Sequence, residues 1–171
     1  MQLRPFVFLT DDRKISEGTL IVRTKRTDYV LEPPLPQFQH TAIPWSPHIR
    51  YLGLVLDSKL IFTKHLHTVT CKATGAFLQL FPPLARDSTL SSHNKLTIYK
   101  LLIRPILTYA APVWSNTSPS NYRHLQVLQS KCHRVIGDYP RRTPIPHLHS
   151  TLSLELIHEF IYRLTAKFFH N

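Results

Sequence analysis

The chain has little glycine, little cysteine and little negative charge. Four glycines stand against 14 prolines in 171 residues, so the chain is punctuated by rigid breaks rather than flexible linkers. Cys71 and Cys132 are the two cysteines and lie far apart with no CxxC pairing, which argues against a disulfide framework and suits a reducing compartment. No apolar run reaches the ~20 residues of a membrane span, and the amino terminus has no signal-peptide pattern. The expected location is intracellular, nuclear or cytoplasmic, with no membrane insertion and no secretion. Only 10 acids oppose 21 Lys and Arg, giving a formal charge of +11 and a pI near 10.0. That surplus points to a polyanionic partner, most often nucleic acid, with a membrane surface as the weaker alternative.

What is present is a core-forming chain about one domain long, 43% hydrophobic, so disorder throughout is not expected. Its patterning changes near residue 60. Before that point "RPFVFL" and "GTLIVRTKR" read as short strands rich in Val, Ile and Phe. Residues 31–47 carry five prolines, which forbid regular ladders and favour extended backbone. "IRYLGLVLD", residues 49–57, reads as a further strand interrupted by Gly53, with "LDSKL" as the turn out. After residue 60 apolar residues recur at three and four. Leu66, Val69, Ala73, Ala76, Phe77 and Leu80 mark one helix, stopped by Pro82 and Pro83.

A second helix opens at Ser91 or Ser92, with Leu96, Tyr99, Leu102 or Ile103, Ile106 and Leu107 as its apolar stripe. Pro105 removes the bond to the Leu101 carbonyl, so a kink or break is expected there. A third helix has Ser118 as cap, Pro119 at its first position and Gly137 at its end, with Leu125, Leu128, Cys132, Val135 and Ile136 buried. A short piece near residues 144–152 precedes a last helix from about Leu154. Its apolar face is Leu156, Ile157, Phe160, Ile161, Leu164 and Phe168, with Glu159 and Arg163 placed to pair. The expected fold class is α+β, a short β-rich part followed by a mainly helical bundle.

The charge is unevenly placed. Between Ser58 and Gly137 there are ten Lys or Arg and one acid, Asp87. By helical phase Lys95, Lys100 and Arg104 on the second helix, and Arg123, Lys131 and Arg134 on the third, form a basic face. Cations kept in water in this way can track a phosphate backbone and displace its counterions. Such contact is blind to sequence, because no base-reading module is recognisable. The bland alternative is an ordinary solvated face.

Several motifs then occur in order: "RYLGLVLDSKLIF", "LTIYKLLIRPILTYAAPVW", "LQVLQSKCHRVIGDYPRRTP". They resemble the carboxy-terminal part of the reverse transcriptases of jockey-type non-LTR retrotransposons. In that family a "YLG" strand with a following Asp closes the palm, matched by Tyr51, Leu52, Gly53 and Asp57. A helical thumb-like region follows with a Tyr–Pro–Tyr–Trp pattern, matched by Tyr99, Pro105, Tyr109 and Trp114. A Leu-Gln, Leu-Gln helix ending in Arg is matched by Leu125, Gln126, Leu128, Gln129 and Arg134, and Thr143, Pro144, Leu148 and His149 match the next segment. "KISEGTLIVRTKR" is similar to the Lys-x-Glu strand upstream. The resemblance covers residues 14–170. It implies an unplaced segment at 1–13, the end of a palm at 14–60 and a thumb and connection region at 61–171.

The resemblance also bears on "TDD". Asp11 and Asp12 follow a short apolar run as the metal-binding acids of template-directed polymerases do. The family's catalytic box has an aromatic where Leu9 stands and lies tens of residues before the Lys-x-Glu strand. Here Asp12 is two residues from Lys14, and ten residues precede Asp11. Asp11 and Asp12 are therefore read as a decoy, a polar strand terminus. The implied protein is the part of an RNA-directed DNA polymerase that holds primer–template duplex, enzymatic by descent and inactive alone. Its partners are an RNA–DNA or DNA duplex and the missing amino-terminal portion of the enzyme. It carries no cofactor of its own, Mg²⁺ belonging to the intact enzyme. Tyr51, Leu52 and Gly53 would lie near the primer strand.

Other constellations are weaker. His67 and Cys71 have a zinc-compatible spacing on one helix but no second ligand pair. The histidines of the two "HLH" stretches, 65–67 and 147–149, are read as solvated or capping. Trp45 and Trp114 can stack on bases or pack beside prolines, the latter preferred. A stand-alone basic nucleic-acid-binding module without a polymerase role remains the alternative function, and a protein scaffold indifferent to salt a third.

Overall fold

The computed structural model describes residues 35, 37–38 and 41–170. The strands expected at "RPFVFL" and "GTLIVRTKR", together with Asp11 and Asp12, lie outside these residues. The described chain falls into two compact units that divide between His65 and Leu66. It is a mainly helical α+β protein, as the patterning implied.

In the first unit β1 (Gln37–Phe38) pairs antiparallel with β2 (Thr41–Ala42). The expectation that the prolines exclude a ladder is thus corrected, by a pairing only two residues long. β3 (His48–Tyr51) and β4 (Leu54–Asp57) form an antiparallel hairpin in which Ile49 faces Leu56 and Tyr51 faces Leu54. Residues 49–57 are therefore two strands, not one strand interrupted at Gly53. Leu52 (φ 46°) and Gly53 (φ 80°) are the two turn residues, both in the left-handed region that a tight hairpin turn requires. Glycine adopts it freely, whereas Leu52 does so with strain. Period-two alternation buries Ile49, Leu54 and Leu56.

The exit from β4 is organised by one side chain. The Asp57 carboxylate accepts from the backbone N–H of Lys59 (3.1 Å), Ile61 (3.0 Å) and Phe62 (2.7 Å). A carboxylate facing converging amides closes a loop in which Leu60 and Phe62 both have positive φ. The chain then enters α1 (Thr63–Gln79). His65 is buried and its Nδ1 accepts from the Val55 N–H at 3.3 Å. It is a packed residue, not a solvated one.

The second unit is built on helices. α1 buries Leu66, Val69, Ala73 and Phe77 at the expected spacing. α2 (Phe81–Leu84) has prolines in its first turn, where their missing N–H costs nothing. α3 (Ser92–Ile98) is capped by Ser91, whose hydroxyl accepts from the Asn94 N–H at 3.3 Å. A π-helical turn, Tyr99–Ile103, then leads into α4 (Arg104–Thr108). There the Arg104 N–H reaches the carbonyl of Tyr99, five residues back. The wide turn lies immediately before Pro105, and is how the chain absorbs the bond that proline cannot make.

The buried positions along this stretch are Lys95, Tyr99, Ile103 and Leu107, spaced by four. An α-helix of about 3.6 residues per turn would rotate such a row off its neighbour; the wider turn brings it back into line. Leu96 is half-buried and Leu102 exposed, so Lys95 and Ile103 take the interior places.

α5 (Ala111–Trp114) ends on Trp114, which is fully buried and donates from Nε1 to the Tyr109 carbonyl at 2.8 Å. It is a core residue and not a stacking platform. α6 (Pro119–Ile136) packs against α3, α7 (Ile145–Leu152) and α8 (Ile157–His170), and α5 packs on α8. Leu125, Leu128, Cys132 and Ile136 of α6 are buried. Full burial stabilises by about 1.5–3 kcal/mol for each leucine or isoleucine, which makes α6 the axis of the unit. In α8 Ile157 and Ile161 are buried, but Phe168 is 67% exposed, so the expected apolar face stops a turn early. Arg163 pairs with Glu155 (Nη2–Oε1 2.5 Å) and not with Glu159. The Glu159 carboxylate instead accepts from the Leu156 N–H at 3.0 Å, capping α8.

Candidate nucleic-acid interface

The interior of α6 decides which of its polar side chains are free. Gln126 Oε1 accepts from the Ile157 N–H at 3.2 Å, and its amide donates to Ser130 Oγ at 3.2 Å and to His149 Nε2 at 3.0 Å. His149 Nδ1 lies 2.8 Å from the Leu154 carbonyl. A carbonyl only accepts, so Nδ1 carries the proton and Nε2 is the acceptor. Gln129 donates to the Glu155 carbonyl at 3.1 Å. Both glutamines of the Leu-Gln, Leu-Gln pattern therefore tie α6 to the chain around the start of α8. His149 is a buried hinge of that network, which corrects its reading as solvated or capping. His67 and His147 are exposed.

His133, adjacent to Cys132, is also buried. Its ring stands edge-on to Tyr99 at 5.2 Å and to His149 at 4.9 Å. Burial first, then His149 and Arg134, lowers its pKa to about 3, so the ring is neutral at physiological pH. Burial pushes the Cys132 thiol up to about 12, making it an unreactive core group, and raises the Tyr99 phenol well above its ordinary range.

The six cations assigned to a basic face do not share one environment. Lys100, Arg123 and Lys131 are exposed. Lys95 is only 6% exposed and its ammonium donates to the Ala85 carbonyl at 2.6 Å; its assignment to the solvent face is corrected. Arg104 is half-buried with its guanidinium 4.1 Å from the centre of the Phe160 ring, a cation–π contact that helps hold α4 to α8. Burial lowers its pKa, though arginine stays charged. Arg134 is half-buried and donates from Nη2 to the Thr143 carbonyl at 3.0 Å, fastening the loop after α6. In the other unit Tyr51 and Leu52 are 36% and 73% exposed, with Gly53 beside them at the hairpin tip.

Lys131 and Arg134 also line a cleft of about 590 Å³ between α1, α2, α6 and the loop that follows. Phe77, Phe81 and Tyr139 supply its apolar surface, and Arg86 and Arg141 add two further cations. Tyr139 is held there because its ring covers Gly137: a Cβ at that glycine would stand 2.1 Å from Tyr139 Cε2. The sequence reading missed Arg86 and Arg141. Each stands in a loop, where helical phase says nothing, although "PRRTP" around Arg141 is itself a basic signal.

No group of three or more His, Cys, Asp or Glu able to hold a metal ion occurs among the described residues. His67 and Cys71, 3.9 Å apart and exposed, form a pair and no more. No helix among the described residues is long and apolar enough to cross a membrane.

Over part of its relatives' length the chain shows partial homology to RNA-directed DNA polymerases of non-LTR retrotransposons. It is 34% identical over 119 residues to a probable RNA-directed DNA polymerase from transposon BS of Drosophila melanogaster, covering 70% of this chain and 13% of that protein. It is 29% identical over 150 residues to the corresponding X-element protein of the same species, covering 88% of this chain and 16% of the relative. A third relative, the RNA-directed DNA polymerase from mobile element jockey of Drosophila funebris, is 32% identical over 91 residues, 53% of this chain and 10% of the relative. The chain therefore spans a small part of the curated relatives it matches. No family model matches the chain, and no solved structure does.

Proposed function

We propose that this chain is the thumb-like, duplex-holding part of a non-LTR retrotransposon reverse transcriptase, with the Leu52–Gly53 hairpin tip set near the primer strand. The observation that carries this reading is the exposure of Lys100, Arg123 and Lys131 on helices whose opposite faces are locked into the core, within a stretch homologous to RNA-directed DNA polymerases. A cation on a rigid helix pays little ordering entropy when it meets a phosphate and releases a condensed counterion as it does so. The contacts position a duplex without reading its bases. Phosphoryl transfer itself belongs to carboxylates elsewhere in such an enzyme, and the chain alone is expected to extend no primer.

Fluorescence anisotropy of the purified chain with a blunt RNA–DNA hybrid, titrated across salt concentrations, tests this. The expected result is binding whose log affinity falls linearly with log salt, by about 0.9 for each phosphate neutralised on a duplex. Absence of binding at low salt, or binding indifferent to salt, contradicts it.

A further inference from the structure

The exposed cations account for a duplex on the surface, but not for the cleft beneath Lys131. Its floor is aromatic: Phe77 and Phe81 meet edge to face, ring centres 6.0 Å apart, and Phe81 remains 45% exposed. Across from them the Tyr139 ring is fixed in place between Gly137 and His147, whose ring lies 5.8 Å away. The rim is basic, with Arg86, Lys131, Arg134 and Arg141 set against Asp87 and Asp138. Asp138 is already paired with Arg86 at 3.3 Å. Arg134 is committed to the Thr143 carbonyl through Nη2. Lys131 and Arg141 are exposed and take part in no ion pair among the described residues.

A volume of about 590 Å³ lies within the range of ~300–1,000 Å³ for pockets that enclose a small ligand. The cleft is open to solvent, and its aromatic floor under a basic rim suits one planar group with an anion attached. An apolar ligand would leave the cations without purpose; a bare phosphate would leave the aromatic floor uncovered. A nucleotide that is not base-paired satisfies both, its base stacked on Phe81 and its phosphate on Lys131 and Arg141.

We propose that this cleft receives an unpaired nucleotide of a nucleic-acid strand adjoining the bound duplex. The proposal rests on the duplex-holding function above and gives it a further element: preference for a junction between paired and single-stranded nucleic acid. Gly137 is part of the device, because its missing side chain lets Tyr139 form the far wall.

The test compares a blunt RNA–DNA hybrid with the same hybrid carrying a short unpaired extension, each measured by anisotropy at fixed salt. The chain is expected to bind the extended probe about tenfold more tightly, one stacked base contributing within ~1–3 kcal/mol. Phe81→Ala, at a half-exposed position, is expected to abolish that preference while leaving the blunt hybrid's affinity unchanged. Phe81→Trp is expected to keep it. Gly137→Ala, which displaces the Tyr139 ring without altering charge, is expected to reduce it as well. Equal binding of the two probes by the parent chain overturns the cleft assignment and leaves the duplex-holding function standing. So does a Phe81→Ala loss that is the same for both probes. Failure of both probes to bind overturns both.

Discussion

The stretch from Ser92 to Thr108 and the helix from Pro119 to Ile136 each carry three Lys or Arg, yet use them differently. In the first, Lys95 is turned inward to the Ala85 carbonyl and Arg104 lies over Phe160, leaving Lys100 in water. In the second, Arg123 and Lys131 are in water and Arg134 alone is drawn into the structure, by the Thr143 carbonyl. The difference follows from the backbone. Lys95 lies one α-helical turn before Tyr99 on the inward face, and the π-turn before Pro105 carries that face on through Ile103 and Leu107. The second keeps a regular helical period, and Arg123 and Lys131 stay away from its leucines. A positive charge in a sequence is thus a nucleic-acid contact or a structural strut according to the local helix period.

Four substitutions or conditions can break or sharpen this contrast. The largest effect is expected from Trp114→Ala, which empties a fully buried site and removes the Nε1 donor from the Tyr109 carbonyl. Urea denaturation should show a loss of about 3–5 kcal/mol; a change under 1 kcal/mol would mean that Trp114 is not the core residue described.

Acid comes next. The His133 imidazole is held near pKa 3 against 6.5 in the unfolded chain, so on acidification the unfolded state takes up the proton first. Stability is fully present above about pH 6.5 and falls by up to ~1.4 kcal/mol per pH unit toward pH 3. Between pH 6.5 and 5 this amounts to about 2 kcal/mol. His133→Phe should flatten that part of the pH profile, and an unchanged slope would show that His133 is not what the acid attacks.

Lys95→Met is expected to cost about 1–3 kcal/mol of stability, because the Ala85 carbonyl loses a charged donor, with no change in the salt dependence of hybrid binding. Lys131→Ala should do the reverse: stability within about 0.5 kcal/mol of the parent, and a salt slope smaller by about one. If the two exchanged behaviours, the assignment of buried strut and exposed contact would be inverted.

Much of this was legible in the sequence, and unevenly so. The faces of α1 and α6 followed from their apolar spacing, and the break at Pro105 from its missing N–H. The hairpin at residues 48–57 was half legible: the alternation was visible, but a leucine in the left-handed region beside Gly53 is not something a propensity suggests. Lys95 was misread because its charge was weighed above its place one turn before the buried Tyr99. The buried state of His65, His133 and His149 was hidden because histidine is equally at home in water and in a hydrogen-bonded interior. Arg86 and Arg141 escaped notice because loops have no period to read, and they reach the cleft only through the fold of the chain around α6.

The most direct test of the account is the salt dependence of RNA–DNA hybrid binding by two variants side by side, Lys100→Ala/Arg123→Ala/Lys131→Ala and Lys95→Met. The triple variant is expected to lose about three phosphate contacts' worth of slope, each ~0.9, while Lys95→Met keeps the parent slope at lower stability. A triple variant with the parent's slope would contradict it, since the exposed cations would then not be where the polyanion binds.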